Sequence, residues 1–334
     1  MRDFIPVNKP LLDGNEKKYL LECIESGWIS SEGPFVKELE QKFAARVVKK
    51  HGVAVFNGTA AIDVSVESLG IGAGDEVIMP TFTIISCINQ IVRNGAVPVL
   101  VDSDPVTWNM DVAQIESRIS RRTKAIMIVH IFGLPVDVDP VLDIARRYGL
   151  RVIEDAAEMH DDLAETCRSL RNLCFQPGNR FVHERLGWNF RMTNMQAALG
   201  LAQLERLDYF VGRKRAMGAR YTELLKDVAA LRLPAGNTDY ADNIYWVYGV
   251  LLEQKSEQER RRLMQRLHEA GMETRPFFFP MHQQPVFRQR GMFQGECYPI
   301  AEGMYRTGFY LPSGLALEDE EMTYIASELK RLLA

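Results

Sequence analysis

Apolar positions along the first third of the chain recur at helical spacing and then give way to short continuous runs. Leu12, Tyr19, Leu20 and Ile24 fall at mixed three- and four-residue spacing before Gly27, which predicts a helix over 11–27. A loop from Trp28 to Pro34 leads to a second amphipathic helix over 35–47. From residue 53 the rhythm changes. Val53–Phe56, Glu76–Met79, Val97–Val101, Ala125–Val129 and Arg151–Glu154 read as strands. Helical patterns at Thr59–Leu69, Thr83–Arg93, Val112–Ile119 and Val138–Tyr148 separate them. Strands that alternate with helices in this way predict an α/β fold, a mainly parallel sheet with helices on both faces.

Helical pattern then dominates from Leu163 to Lys226, broken at Gln176-Pro177-Gly178-Asn179, with Met195–Leu207 as a long helix. Leu233-Pro234-Ala235-Gly236-Asn237 reads as a linker. Beyond it lie a strand at Ile244–Leu252, a helix opened by the Ser256/Glu259 capping box and closed at Gly271, and a strand at Met272–Arg275. A final helix, Asp319–Leu332, carries Met322, Ile325, Ala326, Leu329 and Leu332 on one face. The pattern predicts a large domain over 1–232 and a small C-terminal α+β domain over 238–334.

Composition narrows the function without naming it. Hydrophobic residues at 46% and charged residues at 25% of 334 match an ordinary globular protein. A net charge of −4 offers nothing to nucleic acid or to an anionic membrane, and no apolar run approaches the length of a bilayer span. Met1–Pro6 lacks the apolar core of a signal peptide. The five cysteines are scattered, with none in a CxxC pair, so neither a zinc site nor a disulfide framework is expected. The expected compartment is the cytoplasm.

Candidate chemistry clusters where strands end, because ligands of open α/β sheets sit beyond the carboxyl ends of the strands. Val152-Ile153-Glu154-Asp155 ends one strand in acids, and Ala156-Ala157-Glu158-Met159-His160 follows. Asp155 either pairs with a pyridinium nitrogen, as in pyridoxal phosphate (PLP) enzymes, or caps a helix or turn. Asn57-Gly58-Thr59 is a strand-to-helix turn whose N–H groups suit a phosphate, or an ordinary helix cap. Phe82, in Pro80-Thr81-Phe82-Thr83, either stacks on a flat ring or packs the core. Asn189 and Arg191 present an amide and a guanidinium to a phosphate, or form a surface loop. Arg275-Pro276-Phe277-Phe278-Phe279-Pro280-Met281-His282 either walls a pocket or packs two domains together.

The order of these segments is more specific than any one of them. NGTAA, GDEVIMPTFT, GAVPVLVDSDP, TKAIMIVHIFG, VIEDAAEMH, GWNFRMTNMQAALGLAQLE and ETRPFFFPMH together resemble the PLP-dependent sugar aminotransferases of the DegT/DnrJ/EryC1/StrS family, over roughly residues 5–330. Within it the chain is most similar to the group that aminates the 4-keto carbon of a GDP-linked 6-deoxy sugar, making perosamine for surface polysaccharides such as the lipopolysaccharide O-antigen. The resemblance implies the aspartate aminotransferase-like fold (fold type I), glutamate as amino donor, a nucleotide-sugar substrate, PLP or its amine form PMP as cofactor, and a homodimer with shared active sites. It assigns Gly58 and Thr59 to the cofactor phosphate, Phe82 to the ring face, Asp155 to the ring nitrogen and Glu158 to the ring hydroxyl. Asn189 corresponds to a residue that crosses to the neighbouring subunit's phosphate, and Arg191 and His282 fall near the substrate.

One departure stands out. After the counterpart of His160, family members continue through a segment that supplies two strands and the lysine that holds PLP as a Schiff base. Here His160 runs straight into Asp161-Asp162-Leu163-Ala164-Glu165, which resembles the helix that follows those strands. No lysine lies between Lys124 and Lys214. His160 is the candidate substitute base, although a histidine forms no stable imine with PLP. Removing two strands either exposes sheet edges or forces the remaining strands to pair. Three readings follow: an aminotransferase whose natural sequence is longer than these residues, a catalytically dead homologue or partner subunit, and a lysine-free PMP-dependent sugar dehydratase.

Overall fold

The computed structural model describes residues 3–155, 161–176 and 183–334. Three helices come first: α1 (Glu16–Ser26), α2 (Pro34–Arg46) and α3 (Gly58–Ser68). Strands and helices then alternate as β1 (Glu76–Pro80), α4 (Ser86–Arg93), β2 (Val97–Val101), β3 (Thr123–Val129), α5 (Val138–Tyr148) and β4 (Arg151–Asp155). The four strands are parallel, in the order β2-β1-β3-β4. Successive residues of a strand point to opposite faces, and the two faces feed two cores. Val77, Met79, Ala125, Met127 and Ile153 meet Ile62, Val66, Ile88 and Ile91 of α3 and α4. Ile78, Ile126 and Ile128 meet Val141, Ile144 and Ala145 of α5. Burial on both faces is why these strands read as continuous apolar runs.

The chain continues through α6 (Asp161–Arg171), α7 (Asn194–Leu204) and α8 (Leu207–Leu225) into an antiparallel sheet. Its strands β5 (Leu231–Arg232), β6 (Tyr248–Leu252), β7 (Arg275–Pro276) and β8 (Gly308–Leu311) lie in the order β5-β6-β8-β7. Between and after them come α9 (Glu257–Glu269), α10 (Pro285–Arg288), α11 (Pro299–Thr307) and α12 (Asp319–Leu333). Val250, Leu252, Phe309 and Leu311 pack with Tyr221 and Leu225 of α8, Leu263 and Leu267 of α9, and Ile325 and Leu329 of α12. Ile5 belongs to this core too, held by a parallel bridge to Met272. Asp102, just past β2, accepts from the N–H groups of Ile300 and Ala301, which caps α11 across the two lobes.

The α/β architecture matches the expectation, with several corrections. Val53–Phe56 is not a sheet strand, because its polar groups are taken elsewhere. The Ala54 N–H donates to Glu40 Oε1 at 2.8 Å, Arg171 donates to the Ala54 carbonyl, and Val55 bridges Arg191. The parallel sheet therefore has four strands among the described residues, and β4 ends it. Among the described residues no strand pairs with the outer side of β4, which agrees with the open edge of the two expected outcomes. Val112–Ile119 forms two short 3-10 turns, Val112–Gln114 and Glu116–Arg118, the first capped by Asp111. The helix expected over Met195–Leu207 divides at Glu205–Arg206 into α7 and α8. In the stretch expected to be mostly helical, the described residues of 172–176 and 183–193 instead make turns and bridges. Of Ile244–Leu252 only Tyr248–Leu252 pairs, and Met272 bridges Ile5 while the strand proper is Arg275–Pro276. No helix among the described residues is long and apolar enough to cross a membrane.

Candidate active site

Parallel strands put their carboxyl ends on one side of the sheet, so the residues after β1, β3 and β4 share that side. Asp155, the last residue of β4, is half-buried there. Its Oδ2 lies 3.6 Å from Cys87 Sγ of α4, and Thr83 Oγ1 lies 3.3 Å from the same sulfur. Burial, reinforced by the Asp155 charge and opposed by the Thr83 bond, pushes the Cys87 thiol up to about 12. The thiol therefore keeps its proton at neutral pH and donates it to the carboxylate.

Beside it, His130 Nδ1 accepts from the Val136 N–H at 3.0 Å, so the ring proton sits on Nε2 and is donated to Glu154 Oε1 at 2.7 Å. That bond holds the Glu154 carboxyl below the usual range, against the effect of its burial.

At the start of α3 the Asn57 side chain accepts from the Ala60 N–H at 2.9 Å. The N–H groups of Gly58 and Thr59 have no acceptor within the helix. A Cβ built on Gly58 would meet nothing within 4 Å, so the backbone here is open to a ligand. The Val55–Arg191 bridge and the Phe56 N–H to Phe190 carbonyl bond carry Asn189 and Arg191 toward this turn. Arg191 Nε donates to Asn189 Oδ1 at 2.8 Å. The bridge lays the Phe190–Arg191 stretch along Val55–Phe56, just before the Gly58–Thr59 turn in sequence.

Phe82 and His282 occupy different surroundings. Phe82 is fully buried, with the rings of Phe132, Phe277 and Phe278 at 6.0, 5.8 and 5.8 Å. His282 is fully buried as well, its Nδ1 2.9 Å from Thr81 Oγ1 and its Nε2 2.9 Å from Glu302 Oε1. The Met281 N–H also donates to the Thr81 carbonyl at 2.8 Å. Residues 277–282 therefore pack the small lobe onto the end of β1. Glu158 and His160 lie outside the described residues.

The residues present match part of a pyridoxal phosphate site. The phosphate turn is open, and Asp155 is an oriented carboxylate. Phe82, expected as the ring platform, is covered by Phe132, Phe277 and Phe278. Of the two lysines that flank His160–Asp161 in sequence, Lys124 sits at the amino end of β3, 4.0 Å from Asp75, and Lys214 donates to the carbonyls of Trp246 and Ser313. Cys87, Thr83 and Glu302 escaped the sequence reading. Cys87 comes one turn after Thr83, a spacing visible in the sequence, but its aim at Asp155 depends on how α4 lies against β4.

A family model described as the DegT/DnrJ/EryC1/StrS aminotransferase family matches residues 10–161 and 159–330. A GDP-perosamine synthase of Caulobacter vibrioides is 37% identical over 368 aligned positions, covering 98% of each chain. One from Escherichia coli is 34% identical over 364 positions, again covering 98% of each. Among solved structures, DesV of S. venezuelae in complex with a ketimine intermediate is 28% identical and superposes with a TM-score of 0.86, covering 96% of this chain and 94% of that one.

Proposed function

This chain belongs to the DegT/DnrJ/EryC1/StrS family of PLP-dependent aminotransferases, and from that premise we propose that it is built to take a GDP-linked 4-keto-6-deoxy sugar, with PLP or PMP as cofactor and glutamate as amino donor. In these 334 residues the cofactor is held without a covalent anchor. The observation that carries this reading is Asp155 at the carboxyl end of β4, its carboxylate fixed by a protonated thiol. A carboxylate there keeps a pyridine nitrogen protonated and makes the ring an electron sink. Gly58 and Thr59 take the phosphate through N–H groups at the α3 terminus, Asn189 reaches the neighbouring subunit's phosphate, and Arg191 falls near the substrate. Phe82 serves as ring platform once the Phe277–Phe278 segment yields one of its faces. Glu158 and His282 keep the roles the family resemblance gives them, and His160 is the candidate substitute base, as part of this proposal. The protein acts in the cytoplasm as a homodimer.

The experiment combines mass, binding and turnover. The purified chain is expected to show its unmodified mass after incubation with PLP and borohydride, and to bind PMP in a way that Asp155→Ala abolishes. A borohydride-stable pyridoxyl group on a lysine would overturn the non-covalent reading, and absence of PMP binding would overturn the cofactor site. Tighter binding of dTDP- or UDP-linked ketosugars than of GDP-4-keto-6-deoxymannose would overturn the substrate class. The missing lysine favours a second reading, in which the chain is a non-catalytic subunit that pairs with a complete one and lends it Asn189. Co-expression with a complete GDP-perosamine synthase then yields a mixed dimer whose activity falls in Asn189→Ala.

A further inference from the structure

Lys214 stands midway along α8, on a pocket of about 190 Å³ that the proposed reaction does not use. Arg213, Met217, Arg220, Leu315 and Leu317 line the same pocket. The Lys214 Nζ donates to the Trp246 carbonyl at 2.8 Å and to the Ser313 carbonyl. An ammonium has three protons to donate, and a neutral amine has two. Among the described residues this nitrogen has no third acceptor and no carboxylate partner. The two carbonyls therefore match the neutral amine, and its lone pair is left for the pocket. Burial acts in the same direction and lowers the ammonium to about 8. At pH 8 about half the chains carry the free amine, against about 0.4% for an exposed lysine.

The two arginines are fixed by their neighbours and still have a nitrogen to offer. Arg213 donates Nε to the Leu315 carbonyl at 2.6 Å, and Nη2 to the Leu317 carbonyl at 3.2 Å and Glu318 Oε1 at 3.3 Å. Arg220 donates Nε and Nη2 to the two oxygens of Asp319 at 2.7 and 3.1 Å, and Nη2 to Thr323 at 3.3 Å. Among the described residues the Nη1 of each has no acceptor. Asp319 also lines the pocket, but both of its oxygens are taken by Arg220.

A pocket this small, walled partly by Met217, Leu315 and Leu317, admits only a small uncharged electrophile. One that turns anionic as it adds to the amine is then held by charge-assisted bonds to guanidinium. Carbon dioxide meets both conditions. We propose that Lys214 is a carbon dioxide site, where the side-chain amine forms a carbamate whose oxygens take the Nη1 groups of Arg213 and Arg220.

The amine lone pair forms the N–C bond while one C=O electron pair moves onto oxygen, and one N–H proton leaves to water. Nothing is oxidised or reduced, and there is no leaving group. The carbamate nitrogen keeps one N–H. Ser313 is buried, so its carbonyl retains that donor, while the carbonyl of the exposed Trp246 turns to water. Neither cofactor nor sugar enters the reaction, so the site stands or falls separately from the proposed function.

The test places the 334-residue chain in 13C-labelled bicarbonate at pH 8 and reads carbon NMR. A carbamate resonance is expected that Lys214→Arg removes. Trapping with a trialkyloxonium salt, followed by peptide mass analysis of the parent, is expected to find the carboxyl group on Lys214. Its occupancy there should be about tenfold or more above that of the exposed Lys226, as the free-amine fractions require. That measurement needs no variant, so it holds even where Lys214→Arg fails to fold. Arg220→Gln keeps both carbonyls and loses only an exposed ion pair, so its unfolding midpoint should stay close to the parent's. It is expected to need about fivefold or more bicarbonate for half occupancy, the loss of one charge-assisted bond. No resonance, a label spread evenly over the exposed lysines, or unchanged occupancy in Arg220→Gln would overturn the proposal.

Discussion

Two lysines flank the stretch where the family keeps its Schiff-base lysine, and their surroundings show why neither replaces it. Lys124 stands at the wrong end of β3. Lys214 is tied to two backbone carbonyls, and burial lowers its ammonium from 10.5 to about 8. Below about pH 8 the folded chain carries a half-buried charge that the unfolded chain holds more easily in water. Between about pH 8 and 10.5 the unfolded chain keeps a proton the folded chain has released, so this group makes stability rise with pH across that window. The shift sets a ceiling of about 3 kcal/mol, which solvent at the side chain reduces. Urea unfolding across the window is expected to give a steeper rise for the parent than for Lys214→Met; parallel curves would show that Lys214 has no such linkage. The position of Asp155 was legible at this scale, because the apolar run before it predicts a strand that ends in this carboxylate. His282 was legible only as a polar residue in an aromatic segment, since its bonds to Thr81 and Glu302 come from distant parts of the chain.

Between elements, one side chain ties the N-terminal helices together. Asn194 opens α7, whose N-terminus is capped by the Thr193–Gln196 capping box. Its Oδ1 accepts from the Phe35 N–H at 2.9 Å and its Nδ2 donates to the Trp28 carbonyl at 2.7 Å, pinning the α1–α2 loop to α7. The fit is close enough that a Cβ on Gly33 would come within 2.1 Å of the Asn194 side chain. Below it, Cys23, Phe35, Ala197, Ala198 and Leu201 form a small core. Asn194→Ala leaves a buried donor and an acceptor unpaired, at about 1–3 kcal/mol for each. The denaturant midpoint is expected to fall with little change in slope. A drop no larger than that of an exposed cap mutant would show that water replaces the amide. The helix starting near Met195 was readable from its Ala/Leu pattern. The tie was not, because hydrogen bonds to residues 159 and 166 positions away leave no periodicity.

Across the whole molecule, the sequence pattern located the strands that are buried on both faces and misjudged those that depend on partners. β1, β3 and β4 appear where apolar runs predict them, since each serves two cores. Val53–Phe56 has the same apolar character but no strand beside it, and becomes a bridge to Arg191. The N-terminus shows the converse. Ile5 sits in an opening stretch without periodicity, yet it is buried in the small lobe, with its N–H on the Gly271 carbonyl and its own carbonyl taking the Glu273 N–H. Val7 and Lys9 extend the strap through the N–H groups of Ser313 and Ala316. The opening residues thus strap the small lobe through backbone bonds on its own side. Ile5→Ala removes buried methyl groups and leaves a cavity, at about 2–5 kcal/mol. Hydrogen exchange is expected to quicken over β6, β8 and α12 while β1 and β3 keep the protection of the parent. If exchange quickens equally in both sheets, the lobes unfold as one unit and the strap stabilises the whole molecule.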